Sequence, residues 1–284
     1  MSGRPDDRAG DPPPRLGVMR LLEAHGLRPD TDLGQHFLLD ENLVDLAVRR
    51  AEVGPGDVAL EVGPGLGVLT VALARSARHV HALELDRRVE PVLAEVLAGA
   101  RNVTVHWADA MRADLEALDP APTVVVANLP YNIATPFMVE SLWRLPQVTR
   151  WCVMTQAEVA DRWLAAPGGR LFGAPTVLLG LALRPTFRRP VGREVFVPRP
   201  RVDSALVAFE RIAPGPSEGV RALVRAAFAA RRKTLANTLG AAGHDKSAVR
   251  RALTEMGRDP AARPETLAPA DYLDLSRRLA EGAG

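Results

Sequence analysis

Asn128-Leu129-Pro130-Tyr131 is the segment of this 284-residue chain with the most specific chemistry. A ring amine such as N6 of adenine is a poor nucleophile, because its lone pair is delocalised into the ring. A pocket that accepts both N–H hydrogens holds the nitrogen still and favours a more tetrahedral geometry. The side-chain oxygen of Asn128 and a backbone carbonyl of the Leu129-Pro130 turn meet that demand, and the proline stiffens the turn. Tyr131 adds an aromatic ring next in line, where base stacking contributes about 1–3 kcal/mol. No strong base is required. Positioning and carbonyl dipoles carry the catalysis as positive charge develops on nitrogen. The base has to be unstacked or single-stranded to reach such residues.

A second constellation lies upstream. Glu61-Val62-Gly63-Pro64-Gly65-Leu66-Gly67 follows an apolar run and opens a helical pattern. Gly63 and Gly65 permit a tight turn and close approach of a ligand to the main chain. The spacing is GxGxG, whereas dinucleotide-binding loops are GxGxxG, and Pro64 suits a pyrophosphate cradle badly. A nucleoside ligand without phosphate fits better, and S-adenosylmethionine is one. Glu84 ends the next apolar run, where an acid accepts hydrogen bonds from ribose hydroxyls. Asp109 follows the third, where a carboxylate can accept from an adenine amine. Either acid alone is ordinary; three consecutive strands ending in ligand contacts are not.

The elements that must position these residues follow from periodicity. Arg15 to His25 reads as a short helix, broken by Gly26 and Pro29. Asp40 can cap a helix from Glu41 to Ala51. Strands are expected at Val58–Val62, His79–Leu83, Val103–Trp107, Val124–Ala127 and Trp151–Thr155. Helices at Leu66–Arg75, Arg87–Leu97, Pro136–Leu145 and Glu158–Ala165 alternate with them. This order predicts an α/β fold with a mostly parallel sheet and helices on both faces. Pro185, Pro190, Pro198 and Pro200 then mark a loop-rich stretch before a last strand at Ala205–Phe209. Pro214-Gly215-Pro216 reads as a linker. Four helices follow: Val220–Ala230, Thr234–Leu239, Ser247–Met256 and Ala270–Leu279. The expected division is a disordered tail over 1–14, a catalytic domain over 15–213 and a small helical domain over 214–284.

Composition excludes several classes. No run approaches the roughly 18 apolar residues of a membrane span, and the first residues lack the apolar core of a secretory signal. A cytosolic protein is expected. The single cysteine, Cys152, forms no intrachain disulfide or cysteine metal cluster, and its apolar neighbours predict a buried, inert thiol. No metal is expected. The net charge is only +2, but arginines cluster: Arg184, Arg188, Arg189, Arg193, Arg199 and Arg201 in one stretch, Arg225, Arg231, Arg232 and Lys233 in another. Guanidinium forks suit phosphate oxygens, so these clusters point to a nucleic-acid face.

Taken together, the motifs resemble the ribosomal RNA adenine N6-dimethyltransferases, over about Leu16 to Leu279. Leu33-Gly34-Gln35-His36-Phe37-Leu38 resembles that family's amino-terminal cofactor motif. Glu61 to Gly67, Glu84, Asp109 and Asn128 to Asn132 resemble its core motifs, and Phe196 to Ser204 its late FxPxPxVDS motif. Arg231 to Leu235 and Asp259 to Leu267 resemble carboxy-terminal segments of the subfamily that dimethylates two adjacent adenines near the 3′ end of small-subunit rRNA. The resemblance implies a Rossmann-like methyltransferase sheet with a small helical domain. It implies that His36 and Leu38 line the cofactor pocket with Gly63, Gly65, Glu84, Asp109 and Asn128, and that Phe196 offers the base a second aromatic face. Arg199, Arg201, Arg231, Arg232 and Lys233 are expected to face RNA. A monomer is expected, acting on a pre-30S particle because a small basic face reads RNA shape better than sequence. His36 departs from the family's usual Asn; an imidazole still donates one hydrogen bond, with a charge that depends on pH. The rivals are a large-subunit rRNA methyltransferase of the macrolide-resistance type, a non-catalytic nucleic-acid binder on the same scaffold, and a nicotinamide-dependent oxidoreductase. Asp259 to Leu267 favours the small-subunit enzyme over the first. The complete set of Gly63, Glu84, Asp109 and Asn128 disfavours the second, and the GxGxG spacing disfavours the third.

Overall fold

The computed structural model describes residues 15–30, 33–230 and 232–281. The tail expected over 1–14 lies outside them, as does Arg231. In chain order the elements are α1 (Arg15–Ala24), β1 (Phe37–Leu38), α2 (Glu41–Arg50), β2 (Val58–Val62), α3 (Val68–Ser76), β3 (His79–Glu84), α4 (Glu90–Val96), β4 (Val103–Trp107), β5 (Val124–Asn128), α5 (Ala134–Arg144), β6 (Arg150–Gln156), α6 (Ala157–Trp163), α7 (Ala174–Ala182), β7 (Leu183–Val191), β8 (Phe196–Val197), β9 (Ser204–Arg211), α8 (Glu218–Ala227), α9 (Leu235–Ala241), α10 (Lys246–Glu255) and α11 (Pro269–Glu281).

Among the described residues, seven strands form one sheet in the order β4-β3-β2-β5-β6-β9-β7. β2 to β6 run parallel, and β9 returns antiparallel to β6. The central strands are apolar because both faces of a parallel sheet are covered. Val58–Val62 is buried throughout, and Val124 to Ala127 likewise. Cys152 in β6 is fully buried, and burial pushes its thiol up to about 12, the inert state expected. The strand order places β2 between β3 and β5. The loops after β2, β3, β4 and β5 therefore gather at one edge of the sheet, outside the carboxyl ends of the strands.

Local chemistry sets several boundaries. Asp40 caps α2 as expected, accepting from the Leu43 N–H at 3.0 Å. Gly67 holds a left-handed conformation, so α3 starts at Val68 and not at Leu66. Just before the stretch punctuated by prolines comes the apolar helix α7, with Pro175 in the first turn where a missing N–H costs nothing. The stretch itself is only partly loop: Pro198 and Pro200 lie outside any strand, while Pro185 and Pro190 lie in β7, nine residues long, at the edge of the sheet. Pro185 and Pro190 are tolerated there because an edge strand leaves one row of N–H groups unused. Arginine and proline on such an edge also discourage pairing with another chain.

The chain divides into two compact units: residues up to Ala160 with Pro185–Arg211, and Asp161–Arg184 with everything from Ile212 onward. By sequence alone, Asp161–Arg184 belongs with the catalytic domain expected over 15–213. Contact groups α7 with the later helices instead, a non-contiguous assembly that no linker signal announces. Within the second unit Phe228 lies between Phe172 and Tyr272, at 6.2 and 6.0 Å. The buried Tyr272 hydroxyl donates to the Pro264 carbonyl at 2.7 Å.

Candidate active site

A cavity at the carboxyl ends of β2 to β5 is lined by residues from each of the loops there and from the segment Leu33 to Leu38. His36, Leu38, Gly63, Gly65, Glu84, Asp109 and Asn128, each expected at a cofactor pocket, all line it. Pro130 lines it too; Leu129, Tyr131 and Phe196 do not.

The glycine loop is shaped by its neighbours. Gly63 and Gly65 have φ of 71° and 56°, which only glycine adopts without strain. A Cβ at Gly65 would lie 2.8 Å from the ring of Phe37, so β1 packs directly on the loop. The Gly65 N–H donates to Glu84 Oε2 at 3.1 Å, and the Asp86 N–H to Glu84 Oε1 at 2.8 Å. Burial raises the Glu84 carboxyl above the usual range, and these N–H groups oppose it. The two carboxylate oxygens offer about four lone-pair sites, so the carboxylate can still accept from hydroxyls. Asp109 is less enclosed. Its Oδ1 accepts from the Met111 N–H at 2.9 Å, and Arg112 stands 3.6 Å from its Oδ2.

Two further residues had no role in the sequence reading. Glu61 is 2% exposed, and its Oε2 has no hydrogen-bond partner among the described residues. Burial pushes its carboxyl up to about 8; the Thr70 hydroxyl opposes this and the charge of Glu84 adds to it. An acid inside a strand that is otherwise apolar was the available signal. Leu85 is 58% exposed and lines the cavity, a large apolar side chain placed where a ring can cover it.

The Asn128 turn is held on both sides. The Leu129 N–H extends β5 by donating to Met154 O at 3.0 Å, and the Ile133 N–H donates to Pro130 O at 3.1 Å, turning the chain into α5. Asn128 Nδ2 donates to the His36 carbonyl at 2.9 Å, which leaves its oxygen as the free accepting end. His36 Nδ1 lies 2.8 Å from the Pro198 carbonyl. A carbonyl only accepts, so Nδ1 carries the proton, and neutral His36 offers an acceptor at Nε2. The single donor expected of this residue is spent on Pro198.

The aromatic side differs from expectation. The Tyr131 hydroxyl is 2.7 Å from Ser204 Oγ, and its ring lies 5.2 Å from that of His36. Burial raises its phenol above the usual range, against the hydrogen bond to Ser204. Phe196 is only 1% exposed. β8 pairs with β1 so that Phe196 sits opposite Leu38, among the core side chains. The second aromatic face expected of Phe196 is not presented in this structure.

The sequence model of the family described as ribosomal RNA adenine dimethylase matches residues 26–281. The chain belongs to this family. It is 44% identical over 268 residues to the ribosomal RNA small subunit methyltransferase A of Thermobifida fusca, covering 91% of this chain and 93% of that protein. Among solved structures, a dimethyladenosine transferase from Plasmodium falciparum superposes with a TM-score of 0.72 at 24% identity, covering 87% of this chain and 98% of the other. That likeness concerns the fold. The 23S rRNA methyltransferase ErmE superposes with a TM-score of 0.65 at 29% identity, over 86% and 99% of the two chains.

The cavity of this adenine dimethylase fits S-adenosylmethionine. Among the described residues no Lys or Arg lines it, which disfavours a phosphate-bearing ligand, while three acids do. The unpartnered Glu61 oxygen is a place for a cation in a site that otherwise leaves it costly. Farther along the dimethylase chain, Arg199, Arg201, Arg232 and Lys233 are all exposed. Among the described residues no His, Cys, Asp and Glu cluster could hold a metal ion, and no helix is long and apolar enough to cross a membrane.

Proposed function

We propose that this protein transfers methyl groups from S-adenosylmethionine to the N6 amines of two adjacent adenines near the 3′ end of small-subunit rRNA. The observation that carries the reading is Asn128. Its amide is oriented by the His36 carbonyl so that the oxygen can accept, beside an acid-lined pocket that suits the cofactor.

S-adenosylmethionine supplies an electrophilic methyl group on a sulfonium. The chain's own residues do the rest. Glu84 accepts the ribose hydroxyls, Asp109 the adenine amine of the cofactor, and Glu61 meets its ammonium group. Asn128 Oδ1 accepts one hydrogen of the target amine. The second is assigned to the Leu129 carbonyl, directly beside Asn128, whereas Pro130 O accepts from the Ile133 N–H. With both hydrogens held, the nitrogen lone pair is aimed and positive charge developing on it is met by two oxygen dipoles. Tyr131 stacks on the base.

Arg199, Arg201, Arg232 and Lys233 supply phosphate contacts, with Arg231, outside the described residues, assigned the same role by sequence. The helical second unit is read as the RNA-recognition part. A small basic face reads RNA shape better than sequence, which favours a pre-30S particle as substrate for a monomeric enzyme in the cytoplasm. The small-subunit name of a relative at 44% identity favours this substrate over the 23S rRNA named for ErmE at 29%. Mass spectrometry of rRNA from a deletion strain tests the reading. Loss of dimethyladenosine at two adjacent small-subunit positions is expected; unchanged small-subunit RNA would overturn it.

A further inference from the structure

Arg144, the last residue of α5, spends its guanidinium on one short stretch of chain. Nη1 donates to the carbonyls of Ala110 and Met111, at 3.1 and 3.2 Å, and Nη2 donates to the carbonyl of Ala113. An arginine in the last turn of a helix ordinarily faces its own helix's terminal carbonyls. Here three carbonyls from a different segment converge on it.

That segment is the turn carrying Asp109. The turn closes on itself: the Asp109 carbonyl accepts from the Arg112 and Ala113 N–H groups at 2.9 and 2.7 Å, and its carboxylate accepts from Met111. Arg144 adds a tie from outside the turn, through charge-assisted bonds that are roughly twice as strong as neutral ones. The other end of α5 is joined to the Asn128 turn, because the Ile133 N–H that precedes the helix donates to Pro130 O. The helix has eleven residues and so spans about 16 Å. One rigid rod thus connects the turn assigned to the target amine with the turn assigned to the cofactor's adenine.

We propose that Arg144 is a positioning residue, which sets the Asp109 turn for the cofactor's adenine and keeps it in register with Asn128. The proposal rests on the reading of Asp109 as the acceptor for the adenine amine. An arginine that merely stabilised the fold would affect every ligand alike. One that acts through Asp109 affects only recognition of the amine.

The test is a calorimetric comparison of S-adenosylhomocysteine with S-inosylhomocysteine, which carries an oxo group in place of that amine. Wild type, Asp109→Ala, Arg144→Ala and Arg144→Lys are each titrated with both. Wild type is expected to prefer the adenosyl ligand by about tenfold or more, as for a hydrogen bond to a charged group, and Asp109→Ala to lose that preference. Arg144→Ala is expected to bring the preference within roughly threefold while binding the inosyl ligand as wild type does, because only one hydrogen bond's geometry changes. Lysine reaches fewer of the carbonyls and should restore part of the preference. A full preference in Arg144→Ala, or equal loss of both ligands, overturns the proposal. No preference in wild type removes the Asp109 reading, a failure distinct from that of Arg144. If the alanine variant melts below the assay temperature, the lysine variant decides alone: an unchanged preference counts against the proposal and a reduced one supports it.

Discussion

On the cofactor side of the cavity, Glu61, Glu84 and Asp109 stand at the ends of three adjacent parallel strands, and the glycine loop is already locked to Glu84. On the target side, Phe196 is buried in the core and the Tyr131 hydroxyl is engaged with Ser204. The first wall is finished before any ligand arrives. The second shows a half-buried Tyr131 and a buried Phe196, so we expect its aromatic side chains to shift when a base is received. The energies are compatible with this. Releasing one tyrosine hydrogen bond costs about 0.5–1.5 kcal/mol, and base stacking returns about 1–3 kcal/mol. We therefore expect the cofactor to find its site in the protein alone and the base site to be completed by RNA.

Variants on the two walls should separate this difference. The largest effect is expected from Asn128→Ala. Losing one preorganised acceptor should lower kcat by about 100- to 1000-fold, with cofactor affinity little changed. Single-turnover methylation beside calorimetry reads both, and near-normal turnover would remove the mechanism. Glu84→Ala should weaken S-adenosylhomocysteine by about 1.5–3 kcal/mol; unchanged binding in calorimetry would contradict the ribose assignment.

Glu61 makes a prediction in protons. Its carboxyl, pushed up to about 8, holds its proton at pH 6.5, where an ordinary glutamate has lost it. Pairing with the cofactor's ammonium favours the charged form, so binding at that pH should release about one proton. Titrations in buffers of different ionisation heat measure this, and Glu61→Gln should release almost none. In the free protein the same shift makes Glu61 a cost that grows as pH rises from the ordinary glutamate range to about 8. Below that window the native and unfolded states are both protonated and the cost disappears. The smallest effect is expected from Ser204→Ala. It should lower stability by about 1 kcal/mol in thermal melting and leave turnover at saturating RNA at or above that of wild type, because it frees Tyr131. A severe loss of turnover would mean that the Tyr131–Ser204 contact belongs to the active form.

Much of this contrast was legible in the sequence. Glu84, Asp109 and Asn128 each close an apolar run, so a strand-end register places them together without a structure. Glu61 lay within a motif but carried no role, because sequence does not show whether a buried carboxyl has a partner. The burial of Phe196 was not legible, because a motif position conveys residue type and not burial. Its partner strand β1 has two residues, too few for any periodicity. β7 was hidden by prolines that an edge strand tolerates, and Arg144 by a position at a helix end that usually needs no partner elsewhere.

The most direct measurement is a titration of S-adenosylhomocysteine into the protein without RNA, on wild type, Glu84→Ala and Asn128→Ala. The account predicts saturable one-to-one binding to wild type, lost or strongly weakened by Glu84→Ala and nearly unchanged in Asn128→Ala. Binding that appears only when RNA is present, or that falls equally in both variants, would contradict it.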